Sequence, residues 1–460
     1  MSDAAAVPRP GGIASAFIHP VNQIPPLRRL AVLAFQHVLV MYAGAITVPL
    51  IIGRALNLDA QAMTLLVNAD LVSCGIATLV QTLGLGRVVG IRLPIMMGVT
   101  FASVSPMLAL IASGNAMGQA PAITLSTIYG SVIVAGLFGL LAAPVVGRMA
   151  RLFPSVVTGT VILMMGLSLM RVGVDWAAGG QSNDPGYGMP GNLLLALTTL
   201  VVVLLLMRFG KGLVRSGAVL LGAVIGTVIA MIFGQTDFSD VAQSHWFAVV
   251  QPFQFGMPRF DLSMSLAMCL VMTTVLVESF GMFLAAGELV DCPADRPALV
   301  RGLRADALGT LIGGVFNTFP YTSYAQNIGL LSVTGIRSRF VCAAGGVILL
   351  AFGLCPKLAA VVAAVPVSVL GGAGLIMFGM IAASGVRILG SVEITSARLL
   401  TIAVSIAVGL IPVLSERFFQ HVPAALAPIT HSGIVLTTIS AVLLNLFFGK
   451  DASDAEHVIP

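Results

Sequence analysis

Leu93–Met107 reads LPIMMGVTFASVSPM and Phe319–Gly335 reads FPYTSYAQNIGLLSVTG, and the reading of these two stretches decides the fold. Each meets a proline at its start, continues through β-branched or aromatic residues, and only then becomes a helix-like apolar run. Proline and the residue before it resist helix, and β-branched residues favour extended backbone. Each stretch therefore predicts a short extended piece followed by a half-helix. Thr100 stands six residues after Pro94 and Gln326 six after Pro320, and each stretch is the third apolar segment of its half of the chain. Broken segments at matching places in two halves mark an inverted repeat with a ligand site near the bilayer midplane. The alternative is that proline merely kinks two ordinary membrane helices; the matched placement favours the repeat.

The chain around these stretches is strongly apolar. It has 460 residues, 58% of them hydrophobic and 9% charged, with a mean hydropathy of +1.03, where a soluble domain is about 25% charged. Apolar runs of about twenty residues recur from Leu30 to Phe448, each long enough to cross about 30 Å of hydrocarbon. Fourteen spans are expected, the first at 28–53, the ninth at 301–319, the twelfth at 358–386 and the last at 430–448. The first follows Arg28 and Arg29 without a small-residue cleavage site, so it reads as a helix and not a removable signal peptide.

With fourteen spans, Arg87, Arg92, Arg148, Arg296, Arg301, Arg337 and most other cations fall in even-numbered loops, while Arg54, Arg171, Arg259, Lys357 and Arg417 fall in odd ones. Positive charge is retained on the inner side, so both termini are expected in the cytoplasm. The net charge of +5 is strewn through short loops, which excludes a nucleic-acid face. The five cysteines form no CxxC and no Cys/His pair, so they read as small packing residues and no metal, disulfide or cofactor is expected. HExxH, GxSxG, Walker and GxGxxG signatures are all missing from the sequence, which argues against an enzyme and against a nucleotide-driven pump.

A carboxylate at the bilayer centre costs about 2.5–3.5 kcal/mol even on the lenient insertion scale, so one retained there needs a partner or a task. Glu278, in VLVESFGMFLAAG, lies mid-span and reads as a functional group that takes up and releases a proton. Asp70 in the second span, and Asp306 opening the ninth nearer the cytoplasm, admit two readings: a hydrogen bond between helices or a part in function. His37 likewise is either a satisfied buried residue or a proton carrier. Gln326 and Asn327 place two amides at the start of a half-helix, and a carboxamide matches the N–H and C=O edge of a flat heterocycle. Backbone amides of the half-helix starts near Phe101 and Ala325 add donors for an anion, and Phe101 or Phe280 offers a stacking face.

The segment AQNIGLLSVTG, Ala325 to Gly335, resembles the signature of the nucleobase–ascorbate transporter (nucleobase:cation symporter-2) family. FQHVLVMYAGAITVPL, DLVSCGIATLVQ, VESFGMFLAAGELV and RADALGTLIGG look like further family blocks in the expected order, and GVDWAAGG and WFAVVQPFQFGMP resemble the bacterial urate permeases within it. The resemblance implies an all-α polytopic membrane protein of 14 transmembrane segments in two inverted 7-helix repeats, with short antiparallel strands in segments 3 and 10. Residues 28–150 and 264–357 are then core domain, and 151–263 and 358–449 gate domain, the latter used for dimerisation in the inner membrane. Carried over by position, Glu278 and Gln326 hold the purine, Phe101, Tyr324 and Ala325 line it, and Thr100, Asn327, His37 and Asp306 support binding or proton coupling. Met282 is similar to urate carriers, and glutamine at 326 resembles purine-selective members. The expected function is proton-coupled import of urate or xanthine. The alternatives are an anion exchanger or channel of the same seven-plus-seven fold, or a carrier of uracil or another nucleobase.

Overall fold

The computed structural model describes residues 19–149, 152–180, 184–236, 238–324, 327–328, 330–331, 335–415, 417–423 and 426–448. Its first half runs α1 (Leu27–Ala55), α2 (Ala60–Leu83), β1 (Met97–Val99), α3 (Val104–Ala116), α4 (Pro121–Ala142), α5 (Ser155–Ala177), α6 (Pro190–Phe209) and α7 (Ala218–Ile232). The second runs α8 (Leu262–Leu289), α9 (Arg296–Val315), β2 (Tyr321–Ser323), α10 (Arg339–Gly353), α11 (Pro356–Ala363), α12 (Val367–Gly390), α13 (Ser396–Leu414) and α14 (Gly433–Phe448). Among the described residues, eight helices are long and apolar enough to cross a membrane, or nine if the bent pair α10–α11 is one span.

The two halves start their second helices in the same way. Asp59 caps α2 by accepting from the Ala62 amide at 2.7 Å, and Asp295 caps α9 by accepting from the Ala298 amide at 2.8 Å; each leaves one fewer orphan donor at the helix start. Asp70 and Asp306 each follow their capping aspartate by eleven residues. Helix α9 therefore begins at Arg296, five residues before the start expected for the ninth span, and Asp306 lies in its middle, fully buried. That corrects the expectation that Asp306 opens the span near the cytoplasm. Arg301 was expected in an even-numbered loop, but α9 carries it, with Arg304, within the helix.

A second correction concerns 358–386, expected as one span. Pro366 caps a new helix there, because its ring cannot accept a place inside one. The preceding helix α11 bends by 80° from α10. Hydropathy is continuous across the break, so composition alone did not reveal it.

Strands β1 and β2 pair antiparallel, with Met97 opposite Ser323, Gly98 opposite Thr322 and Val99 opposite Tyr321. The ladder extends one step at each end: the Thr100 amide donates to the Pro320 carbonyl at 2.8 Å and the Tyr324 amide to the Met96 carbonyl at 3.0 Å. A two-stranded ribbon buried in an apolar body has two open edges, whose donors water cannot satisfy. Threonines close them. The Met97 amide donates to Thr78 Oγ1 on α2 at 3.0 Å, and the Tyr321 amide donates to Thr310 Oγ1 on α9 at 2.9 Å.

A two-fold through the ladder's central pair, Gly98–Thr322, differs from the sequence pairing of Thr100 with Gln326, a residue outside the described ones. By the ladder's two-fold symmetry, Thr100 corresponds to Tyr324 and Pro320 to Met96, two residues out of step with a count from the prolines. The prolines mark the break, but the hydrogen bonds set the register.

Away from the ribbon, α5 and α12 cross at close range. A side chain on Gly166 would run into the Ala382 backbone, and one on Gly385 into the Leu163 backbone. Small residues at such crossings let membrane helices approach until their backbones are in contact.

Candidate functional site

Three helices hold the β1–β2 ribbon. From α2, Asp70 Oδ1 accepts from Tyr321 Oη at 2.8 Å and from Thr318 Oγ1 at 3.0 Å, and Cys74 Sγ lies 3.7 Å from Oδ2. From α9, Asp306 Oδ1 accepts from Gln81 Nε2 at 2.9 Å and from Ser323 Oγ at 3.1 Å. From α8, Ser279 Oγ lies 3.4 Å from Thr322 Oγ1. All three β2 side chains thus reach a neighbouring helix, and two of them end on a buried carboxylate.

Glu278 stands beside Ser279, at the level of the ribbon. Asp70 and Asp306 have donors, but among the described residues no hydrogen bond or ion pair reaches the Glu278 carboxylate. The residue is partly buried, and Gly281, Met282 and Ala285, one and two turns further along the same face of α8, keep some exposure. A side chain on Gly281 would meet open space. Residues three and four apart share a helix face, so Glu278 borders room and is not sealed by packing.

Thr100 caps the turn that leads into α3: its Oγ1 accepts from the Ala102 amide at 3.2 Å, and its carbonyl accepts from Ser103 Oγ at 3.0 Å. The hydroxyl is thereby committed to the backbone. Phe101 follows it, and its ring meets Phe378 of α12 edge to face, with centroids 6.1 Å apart. Helix α8 packs against both this turn and β2, so Glu278, Phe101 and the ribbon are brought into one neighbourhood. Phe280 is partly buried on α8, but it stands two residues from Glu278 and so on a different face of the helix.

Tyr324 is buried, and its hydroxyl has no partner among the described residues. Its ring lies across two glycines, Gly44 of α1 and Gly98 of β1. A Cβ on Gly98 would stand 2.6 Å from Tyr324 Cε2 and 2.8 Å from Cδ2. We expect Gly98→Ala to force the ring aside at a cost of about 1–3 kcal/mol, as overpacking does. The unfolding temperature of the purified protein should fall, while Gly147→Ala, where an added Cβ meets nothing within 4 Å, should leave it unchanged. Equal unfolding temperatures for the two variants would show that the ring is not held there.

Asn327 and His37 are joined to each other. Asn327 Nδ2 lies 3.0 Å from His37 Nδ1 and donates to the His37 carbonyl at 3.0 Å, which pins the helical start after β2 to α1. His37 Nε2 and Asn327 Oδ1 remain buried without partners among the described residues. Gln326 and Ala325 lie outside the described residues, and so does the expected meeting of Glu278 with Gln326. The residues that sequence reading passed over are Thr78, Gln81, Ser279, Thr310 and Ser323. The matching spacing Asp59–Asp70 and Asp295–Asp306 is the signal, not used in the sequence reading, that could have pointed to the two helices carrying most of them.

The family model Xan_ur_permease, described as Permease family, matches residues 28–418. The uric acid transporter UacT of Escherichia coli strain K12 is 49% identical over 440 residues, covering 95% of this chain and 90% of that protein. The uric acid permease PucJ of Bacillus subtilis strain 168 is 44% identical, covering 90% and 92%, and a xanthine permease of the same organism is 41% identical, covering 90% and 93%. Among solved structures, the transmembrane domain of a cyanobacterium bicarbonate transporter, BicA, superposes with a TM-score of 0.56 at 20% identity over 92% of this chain and 98% of that one. The murine anion transporter Slc26a9 gives 0.61 at 13% identity over 93% and 70%; at such identities the likeness is one of fold alone. The match along most of the chain and the relatives at 40% identity and above agree on one point: the protein is a membrane transporter, not an enzyme, and belongs to the nucleobase:cation symporter-2 permease family.

Proposed function

We propose that the protein is a proton-coupled symporter that imports an oxidised purine, urate or xanthine, across the bacterial inner membrane. The observation that carries this reading is Glu278: a carboxyl group in the middle of a membrane helix, bordering open space, with no hydrogen bond or ion pair among the described residues. A charge left so in a low-dielectric body is costly. A group that gains a proton and a hydrogen-bonding ligand together, and releases both together, removes that cost on each loaded crossing. Such a carboxyl would also repel a bare inorganic anion, which disfavours the exchanger reading despite the shared fold with BicA and Slc26a9.

In this scheme Glu278 and Gln326 grip the heterocycle, while Phe101, Tyr324 and Ala325 line it. Thr100 shapes the Phe101 turn, Asn327 and His37 hold the half-helix after β2, and Asp306 fixes the ribbon. Fourteen membrane segments in two inverted repeats would form a core of 28–150 and 264–357 and a gate of 151–263 and 358–449. Substrate crosses by alternating movement of core against gate, within a homodimer whose termini are cytoplasmic.

Purified protein in liposomes with an imposed pH gradient, outside acidic, should accumulate labelled urate, and a protonophore should collapse that accumulation. Unlabelled urate and xanthine should compete, with uracil and adenine much weaker. Accumulation that survives the protonophore removes the coupling, and competition by uracil alone removes the purine assignment.

A further inference from the structure

At the C-terminal end of α1, a cavity of about 470 Å³ opens between that end and the starts of α6 and α12. Among the described residues, Arg54, Asn192, Gln235, Pro366 and Ser368 line it, and no aspartate or glutamate does. Of the described residues assigned above to substrate, Glu278, Phe101 and Tyr324, none belongs to its wall.

Arg54 is the unusual member. It stands in the last turn of α1, at the end of the molecule where the sequence places few cations. Its Nη2 donates to the carbonyls of Val365 at 3.0 Å and Ala363 at 3.5 Å, which leaves Nε buried with no partner among the described residues. No carboxylate pairs with it among those residues either. A guanidinium withdrawn from water without a counter-charge is costly, and its planar fork is suited to two anionic oxygens or to the edge of a flat anion. The same wall contains the first turn of α12. Pro366 caps that 24-residue helix without a side-chain hydrogen bond, and Pro366, Val367 and Ser368 line the cavity, so the positive end of the helix dipole, with leading amides that no N-cap side chain takes up, stands at its wall.

We propose that this cavity is an entry site, where a small planar organic anion is held by the Arg54 guanidinium and the first amides of α12 before it reaches the β1–β2 ribbon. The proposal rests on the reading that urate, an anion, is the cargo. A lipid phosphate has the same chemistry, and so would compete for the same groups.

The test is initial-rate uptake of labelled urate by the purified full-length protein in liposomes, with wild type, Arg54→Gln and Arg54→Lys each in phosphatidylcholine alone and in phosphatidylcholine with phosphatidylglycerol. Rates are taken per folded, monodisperse protein. Loss of a charge-assisted contact should raise KM about tenfold in Arg54→Gln with kcat little changed. Arg54→Lys, which keeps the charge, should recover most of the affinity, and the two lipid mixtures should agree. Unchanged KM in Arg54→Gln overturns the entry site. A wild-type KM that rises with phosphatidylglycerol, and no longer does so in Arg54→Gln, assigns the cavity to lipid headgroups instead. If Arg54→Lys matches Arg54→Gln and kcat falls in both, Arg54 only latches α1 to the Ala363–Val365 carbonyls. A wild type that takes up no urate defeats the cargo reading first, and this inference with it.

Discussion

Glu278→Gln should abolish uphill accumulation of urate while leaving folded protein in the membrane. The amide preserves the shape and the hydrogen-bonding reach of the side chain, but it cannot carry a proton back and forth. If one proton accompanies one urate anion, no net charge crosses, and the pH gradient alone drives uptake. Each pH unit then supplies about 1.4 kcal/mol, or roughly a tenfold concentration ratio. The variant should level at a ratio near unity, whatever gradient is imposed. Counterflow of labelled against unlabelled urate, which needs no net proton movement, should persist more than net uptake does. Liposomes loaded at several pH gradients measure both quantities together. Wild-type accumulation in the variant would remove Glu278 from coupling and leave the carboxyl without a stated task.

Asp70→Ala should be the most destabilising of the ribbon substitutions. Asp70 is fully buried and satisfied, with Tyr321 Oη and Thr318 Oγ1 both donating to one oxygen. Hydrogen bonds to a charged group contribute about 1.5–3 kcal/mol each, and donors left buried without an acceptor are costlier still. Tyr321 Oη also reaches the Asp70 carbonyl at 3.0 Å, so part of its satisfaction survives. A loss of about 3–5 kcal/mol is the expected net, a large share of the roughly 5–15 kcal/mol that holds a domain folded.

Asp70→Asn separates the two readings of this residue. Its amide oxygen still accepts from Tyr321 and Thr318, so a purely structural Asp70 predicts near-normal stability and near-normal accumulation. Accumulation lost in a well-folded Asp70→Asn protein would instead place Asp70 in the proton path beside Glu278. Thermal unfolding in detergent and uptake in liposomes, measured on the same preparations, give both readouts.

Asp70 and Asp306 also show how far linear reading extends. The open choice between a helix-to-helix hydrogen bond and a functional group could not be narrowed from the chain, because the donors to Asp70 lie 248 and 251 residues away. In the structure both carboxylates hold β2, and Glu278 alone of the three is left without a donor among the described residues. Thr100 changed in the same way. Counting from Pro94 set it against Gln326, whereas the ladder bonds its amide to the Pro320 carbonyl and its hydroxyl accepts from the Ala102 amide in the Phe101 turn.

The sequence by itself determined that the chain is a multi-span membrane protein, that its breaks fall at Pro94 and Pro320, and that Glu278 lies mid-helix. Those properties are sums or local preferences over some twenty neighbouring residues, and a window along the chain contains all the terms. Only the tertiary structure decided the ribbon's register, the bend before Pro366, the ring of Tyr324 across Gly44 and Gly98, and the bonds from Arg54 to carbonyls 309 and 311 residues away. Hydrogen bonds act over about 3 Å of space, and nothing in a local run of residues records which distant segment will fill that space.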